Sequence, residues 1–246
     1  MVLFMILLIL MVSGANAQVN IEAHRGRPGV SGKFTVQYGG ATGNSEFFDG
    51  GATANLTYNS GTYTALLVGR GLLGFASGER FSNQGLAHVR FTWTRRPGFQ
   101  PEIFGQLDYA RPRRLVSRAL VGGGVRRVLH DTEVLALSMG NSLMWEREKL
   151  DLPDLARHPE ISSFIRSSSY MNLQFSGKVK IRLTGYYQFR VVEMGDARLL
   201  GDLEVTSAII GPLEQTTSVR YRLDTDPPDV VQKNDLHIGT SLGLRF

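Results

Sequence analysis

Cysteine is absent from the 246 residues. That excludes a disulfide framework, a thiolate metal site and a lipoprotein anchored through an N-terminal cysteine. Beyond residue 12 there is no run of about 18 or more apolar residues, so no membrane-spanning helix is expected there. Clustered charge is missing too. The net charge of +5 is dispersed along the chain, unlike the basic patch of a nucleic-acid-binding protein, so no nucleic-acid partner is expected. Neither metal-ligand spacing nor a G-x-S-x-G nucleophile motif is present. The five histidines, His24, His88, His130, His158 and His237, stand singly. His237 and Ser241 share a strand face, but four residues of strand span roughly 13 Å, beyond hydrogen-bond reach. No metal, cofactor or catalytic constellation is therefore expected.

The first residues do carry a signal. Val2 to Val12 is almost wholly apolar and runs into Ser13-Gly14-Ala15-Asn16-Ala17, then Gln18. An apolar stretch ending in small residues at A-x-A, here Ala15 and Ala17, is expected to be a secretory signal peptide cut before Gln18. No Lys or Arg precedes it, so the amino group supplies the positive charge. A membrane anchor is the alternative, but the stretch is short for a hydrocarbon core. The expected organisation is a signal peptide over 1–17, a short periplasmic segment over 18–30, and one β domain over 31–246.

That domain alternates with period two. Twelve candidate strands lie over 32–40, 46–58, 62–72, 85–95, 101–110, 116–128, 132–147, 162–176, 178–189, 199–210, 213–223 and 235–246. The cleanest sets Val179, Ile181, Leu183, Tyr187 and Phe189 against Lys178, Lys180, Arg182, Thr184 and Gln188. In 62–72 the alternation is blurred by Leu66 and Val68. Strands of roughly 10 to 13 residues exceed the usual length in soluble sheets and suit a tilted membrane crossing. Short turns such as Asn59-Ser60-Gly61 alternate with longer connections near 73–84, 110–116, 147–161, 191–198 and 224–234. Only Ala41 to Ser45 breaks that rule.

Alternation alone does not separate a membrane barrel from a soluble one. The polar face is rich in Thr, Ser, Gln and Asn with scattered Arg, and an even strand number allows the ring closure that lipid demands. The reading is a transmembrane antiparallel up-and-down β-barrel of about 12 strands in the bacterial outer membrane. The chain ends on Phe246, preceded at every second position by Leu244, Leu242, Thr240 and Ile238. This is similar to the terminal strand by which the barrel assembly machinery recognises outer-membrane proteins.

The chain also resembles the salt-induced outer-membrane proteins of the YdiY type. The resemblance rests on Tyr38-Gly39-Gly40-Ala41-Thr42-Gly43-Asn44-Ser45, and on Arg118 through Gly122-Gly123-Gly124-Val125-Arg126. It rests also on Leu135-Ala136-Leu137-Ser138-Met139-Gly140, Trp145-Glu146, and Gly239-Thr240-Ser241-Leu242-Gly243-Leu244-Arg245-Phe246. It implies an outer-membrane barrel and no particular activity.

The polar faces place Lys33, Arg70, Arg90, Arg118, Arg126, Lys178, Lys180, Arg182, Arg220, Arg222 and Arg245 in the lumen. Asp49, Asp108, Glu146, Asp202, Glu204 and Glu214 are the acidic members. Lys178, Lys180 and Arg182, with Arg220, Arg222, Arg118 and Arg126, form a candidate basic wall. Two readings stay open: a narrow passive channel for small anionic solutes, or a structural barrel plugged by Arg–carboxylate pairs. An outer-membrane lipid-modifying enzyme and a soluble periplasmic binding barrel are the alternatives. Outer-membrane lipids and lipopolysaccharide are the expected surroundings. Asp224-Thr225-Asp226-Pro227-Pro228-Asp229 lacks the Gly and terminal Glu of a calcium loop and reads as a solvated hairpin tip.

Overall fold

The computed structural model describes residues 28–41, 47–76, 79–229 and 231–246. The expected signal peptide, its Ala15, Ala17 and Gln18, the expected segment up to residue 27, and residues 42–46 of the first connection lie outside the described residues. Twelve strands follow in order: β1 (Gly29–Ala41), β2 (Phe47–Asn59), β3 (Tyr63–Ala76), β4 (Glu79–Trp93), β5 (Gln100–Ala110) and β6 (Leu115–Asp131). The second half is β7 (Leu135–Leu150), β8 (Ile161–Phe175), β9 (Val179–Arg190), β10 (Glu193–Ile210), β11 (Leu213–Asp224) and β12 (Asn234–Arg245). Each strand pairs antiparallel with its neighbours in sequence, and β1 pairs with β12 to close the ring. Closure leaves no open edge, so the backbone groups can bond between strands without water.

The seam is built from few pairs. Lys33 to Val36 of β1 stand opposite Arg245 to Leu242 of β12. Beyond them, Gly32 and Phe246 exchange backbone hydrogen bonds of 2.8 and 3.0 Å. The Phe246 ring lies over Gly32, where a Cβ would come within 2.5 Å of it. Glycine is needed here for that close approach, an aromatic ring covering a gap in the wall.

Alternation sorts the faces as the sequence suggested. In β9, Val179, Ile181, Leu183 and Tyr187 are exposed on the outside, while Arg182, Thr184 and Gln188 are buried inside. An apolar exterior over a polar interior is the arrangement a hydrocarbon solvent selects. Aromatic residues concentrate at the two rims. Tyr58, Tyr63, Phe91 and Trp93 form a ladder with centroid spacings of 5.8, 4.9 and 4.7 Å at the rim where β1 begins and β12 ends. Tyr38, Phe48, Tyr109 and Tyr221 are exposed toward the opposite rim.

The connections differ from expectation. β3 and β4 run to Ala76 and from Glu79, β7 reaches Leu150, and β9 joins β10 through Val191 and Val192 alone. The stretch 110–116 contains a 3-10 turn, Arg111–Arg113. Among the described residues, only 151–160 and the connection between β11 and β12 remain long at the loop rim. Strand ends that rise above the bilayer meet water outside as well as inside, so they lose the apolar alternation by which strands are recognised. The acidic run is not a free hairpin tip either. Arg157 pairs with Asp226 at 2.9 Å, and its backbone N–H donates to Asp229. His158 lies 3.3 Å from Asp226. The two long loops are thus clasped together.

Candidate functional site: the barrel lumen

Toward the loop rim, the inward faces of β6, β7, β8, β10 and β11 carry charges of both signs. Arg118 donates to Asp108 through two nitrogens at 3.0 and 2.7 Å. Arg198 of β10 donates to Glu146 at 2.7 Å and Glu148 at 3.0 Å, both on β7, and to Asp224 at 3.1 Å. Strands β8 and β9 stand between β7 and β10 in the wall, so this side chain crosses the lumen. Arg166 grips both oxygens of Asp196 at 2.7 and 2.9 Å. Arg222 reaches Asp224 at 2.9 Å, and Arg113 reaches Asp108 at 3.5 Å. Five guanidiniums here face six carboxylates: Arg113, Arg118, Arg166, Arg198 and Arg222 against Asp108, Glu146, Glu148, Asp196, Asp224 and Asp235. Planar, bidentate Arg–carboxylate pairing satisfies several donors at once in a place with little water.

Beneath this layer an apolar cluster spans the lumen. Leu66 and Val68 of β3 and Leu86 of β4 cluster with Tyr170 of β8, Tyr186 of β9 and Leu200 of β10. Val68 has no exposed surface. The inward Leu66 and Val68 that blur the sequence pattern of β3 thus meet the opposite wall. Arg90 pairs with Glu102 at 2.6 Å and lies 4.3 Å over the Phe104 ring. Gly122 makes room for this packing, because a Cβ there would meet Phe104 and Met144 at 2.6 and 2.8 Å. Between the ionic and apolar layers a cavity of about 40 Å³ remains, bounded by His88, Tyr170, Tyr186 and Arg198. It has room for a few waters at most.

Toward the terminal rim the pairs follow the strand register. Glu204 and Arg182 are cross-strand partners and form an ion pair at 2.7 Å. Asp202 and Arg220 do the same at 2.9 Å. Arg126 donates to Gln100 at 2.6 Å. Lys33 and Arg245 share Glu214 at 3.0 and 3.3 Å.

Most of the candidate basic wall therefore faces inward, but it is not one surface. Arg118 and Arg222 belong to the loop-rim network, Arg220 to the middle, and Arg182 and Arg126 to the lower half. Lys180 is half-buried on the inward side of β9. Lys178 corrects the expectation: it stands in the turn before β9 and is exposed. There the strand begins one residue later than expected, at Val179, whereas elsewhere strands run further than the alternation suggested. Glu148, Asp196, Arg198 and Asp224 fell into presumed loops, although each continues the every-second-residue rule of its strand. The inward row Glu146, Glu148, Leu150 of β7 was the available signal.

A closed ring of twelve antiparallel strands, apolar outside and packed with polar pairs inside, defines an outer-membrane β-barrel. It is similar to the translocator domain of the autotransporter NalP from Neisseria meningitidis, with a TM-score of 0.51 at 11% identity over 91% of this chain and 90% of that one. It is also similar to a bacterial polysaccharide outer-membrane secretin (0.48, 8%, 89% and 98%) and to the NanC porin (0.47, 6%, 87% and 97%). At such identities the likeness shows the fold alone. The chain belongs to the family described as "Protein of unknown function, DUF481", matched over residues 35–246, which is the family of the salt-induced outer-membrane protein YdiY. Among curated proteins none matches.

Proposed function

We propose that this protein is an outer-membrane barrel plugged by its own wall, a structural barrel that conducts no solute in its resting state. One observation carries the reading. Side chains from opposite walls touch at two levels, through Arg198 with Glu146 and Glu148, and through Leu66 and Val68 with Tyr170, Tyr186 and Leu200. A passive pore needs a continuous column of water; an apolar cluster that spans the lumen under a layer of ion pairs interrupts it. The six carboxylates of the ionic layer also remove the excess positive potential that an anion filter requires. The basic-lumen channel finds support at the terminal rim, where Lys33 and Arg245 share the single carboxylate of Glu214. That surplus fits a vestibule better than a filter.

In this reading the outward row Ile238, Thr240, Leu242 and Leu244 of β12, with Phe246 just after it, serves assembly. Planar-bilayer recording of the refolded protein tests the proposal. The plugged barrel gives a silent trace, whereas reproducible single-channel steps would refute it.

A further inference from the structure

Outside the barrel, a groove of about 720 Å³ lies in the wall formed by β3 to β8. That size is in the range of small-molecule sites. Register places its residues side by side. Ala87 stands opposite Leu107, Leu107 opposite Ala119, and Ala119 opposite Arg147. One row nearer the loop rim, Gly85 stands opposite Tyr109, and Lys149 opposite both Ser117 and Ile161. Small residues on three strands leave a trough between larger apolar neighbours.

The outward face of β7 reads Leu135, Leu137, Met139, Asn141, Leu143, Trp145, Arg147, Lys149. Glu146 and Glu148, between these last residues, point inward and are buried. The row is mainly apolar as far as an aromatic residue and then turns cationic. That is the order of a wall passing from hydrocarbon through the aromatic belt to headgroups. A cation on the lipid face costs roughly 2–4 kcal/mol at mid-bilayer and far less at the interface. Lys149 has an exposed partner, Glu160, at 3.4 Å. Arg147 has no carboxylate partner among the described residues, and it opens onto the groove. With the short turns at the periplasmic rim, the usual orientation of such barrels, this end meets the outer leaflet.

We propose that the groove binds the lipid A portion of lipopolysaccharide. A phosphate sits on Arg147 and Lys149, and an acyl chain lies along Ala87 and Ala119. Charge complementarity selects this occupant: a guanidinium offers a planar fork to phosphate oxygens, and an apolar trough continues directly below it.

Native mass spectrometry of the refolded protein in neutral detergent, titrated with purified lipid A, tests the assignment. The expected result is a retained one-to-one adduct, weakened about tenfold or more in Arg147→Gln/Lys149→Gln. Dephosphorylated lipid A should lose affinity to the same extent. Ala119→Leu, which fills the trough without touching charge, should also weaken the adduct. Arg127→Gln, an exposed cation near the other rim, should not. Equal binding by wild type and the double variant would overturn the proposal, as would equal retention of phosphatidylglycerol. Heat-modifiable gel migration identifies variants that have folded. The double variant changes no groove-floor residue, so it tests the site even if Ala119→Leu fails to fold.

Discussion

Arg198 reaches three carboxylates on two other strands, Glu146, Glu148 and Asp224. Removing it leaves these buried acids without their shared cation. Breaking such a pair from one side is costly even where the intact pair adds little net stability. Arg198→Ala should therefore lower unfolding stability by about 3–5 kcal/mol, read from the urea midpoint of the protein folded into vesicles. An unchanged midpoint would show that the network adds nothing. Raising salt from low to molar concentration should barely move the wild-type midpoint, because ions screen exposed pairs far more than buried ones. At this scale the sequence was informative about which residues face inward and silent about which meet. Arg118 and Arg222 were recognisable as lumen residues from parity. Their sharing of one network through Asp108, Glu148, Arg198 and Asp224 depends on distances across the ring, which alternation does not encode.

Single elements decide how the ring closes and how its mouth is covered. The seam of β1 and β12 ends in the Phe246 ring over Gly32. Phe246→Ala should lower stability by up to about 1 kcal/mol, the scale of one cross-strand aromatic contact, and should reduce the folded fraction on heat-modifiable gels. At the opposite mouth, Arg157 ties the 151–160 loop to Asp226 and Asp229. Arg157→Ala should expose that loop to added protease and speed cleavage within 151–160, with the barrel fragments staying associated. Cleavage at the wild-type rate would mean that the clasp does not hold the loop. The strands themselves were legible, from β1 through β12, because one face is apolar along most of each strand. Their loop-rim ends were not. In β10 the stretch from Glu193 to Arg198 lies beyond the apolar belt, and the Val191–Val192 turn that starts it carries no glycine or proline to mark it.

As a whole molecule the barrel is a ring whose interior is occupied by the side chains of its wall. Strand count, antiparallel order and closure followed from period two, export and the need to satisfy backbone groups in lipid. The filled interior did not follow, because a row of polar residues looks the same whether it borders water or a facing row of opposite charge. The apolar patch at Leu66 and Val68 was visible as a flaw in the pattern, and its meaning came only from Tyr170, Tyr186 and Leu200 opposite. Emptying that layer with Leu66→Gly and Val68→Gly, together with Arg198→Ala to clear the ionic layer above, should convert a silent barrel into a conducting one. The decisive measurement is the single-channel conductance of the unmodified protein in a planar bilayer: a plugged barrel gives no steps above baseline, and stable, protein-dependent open levels would show an open lumen instead.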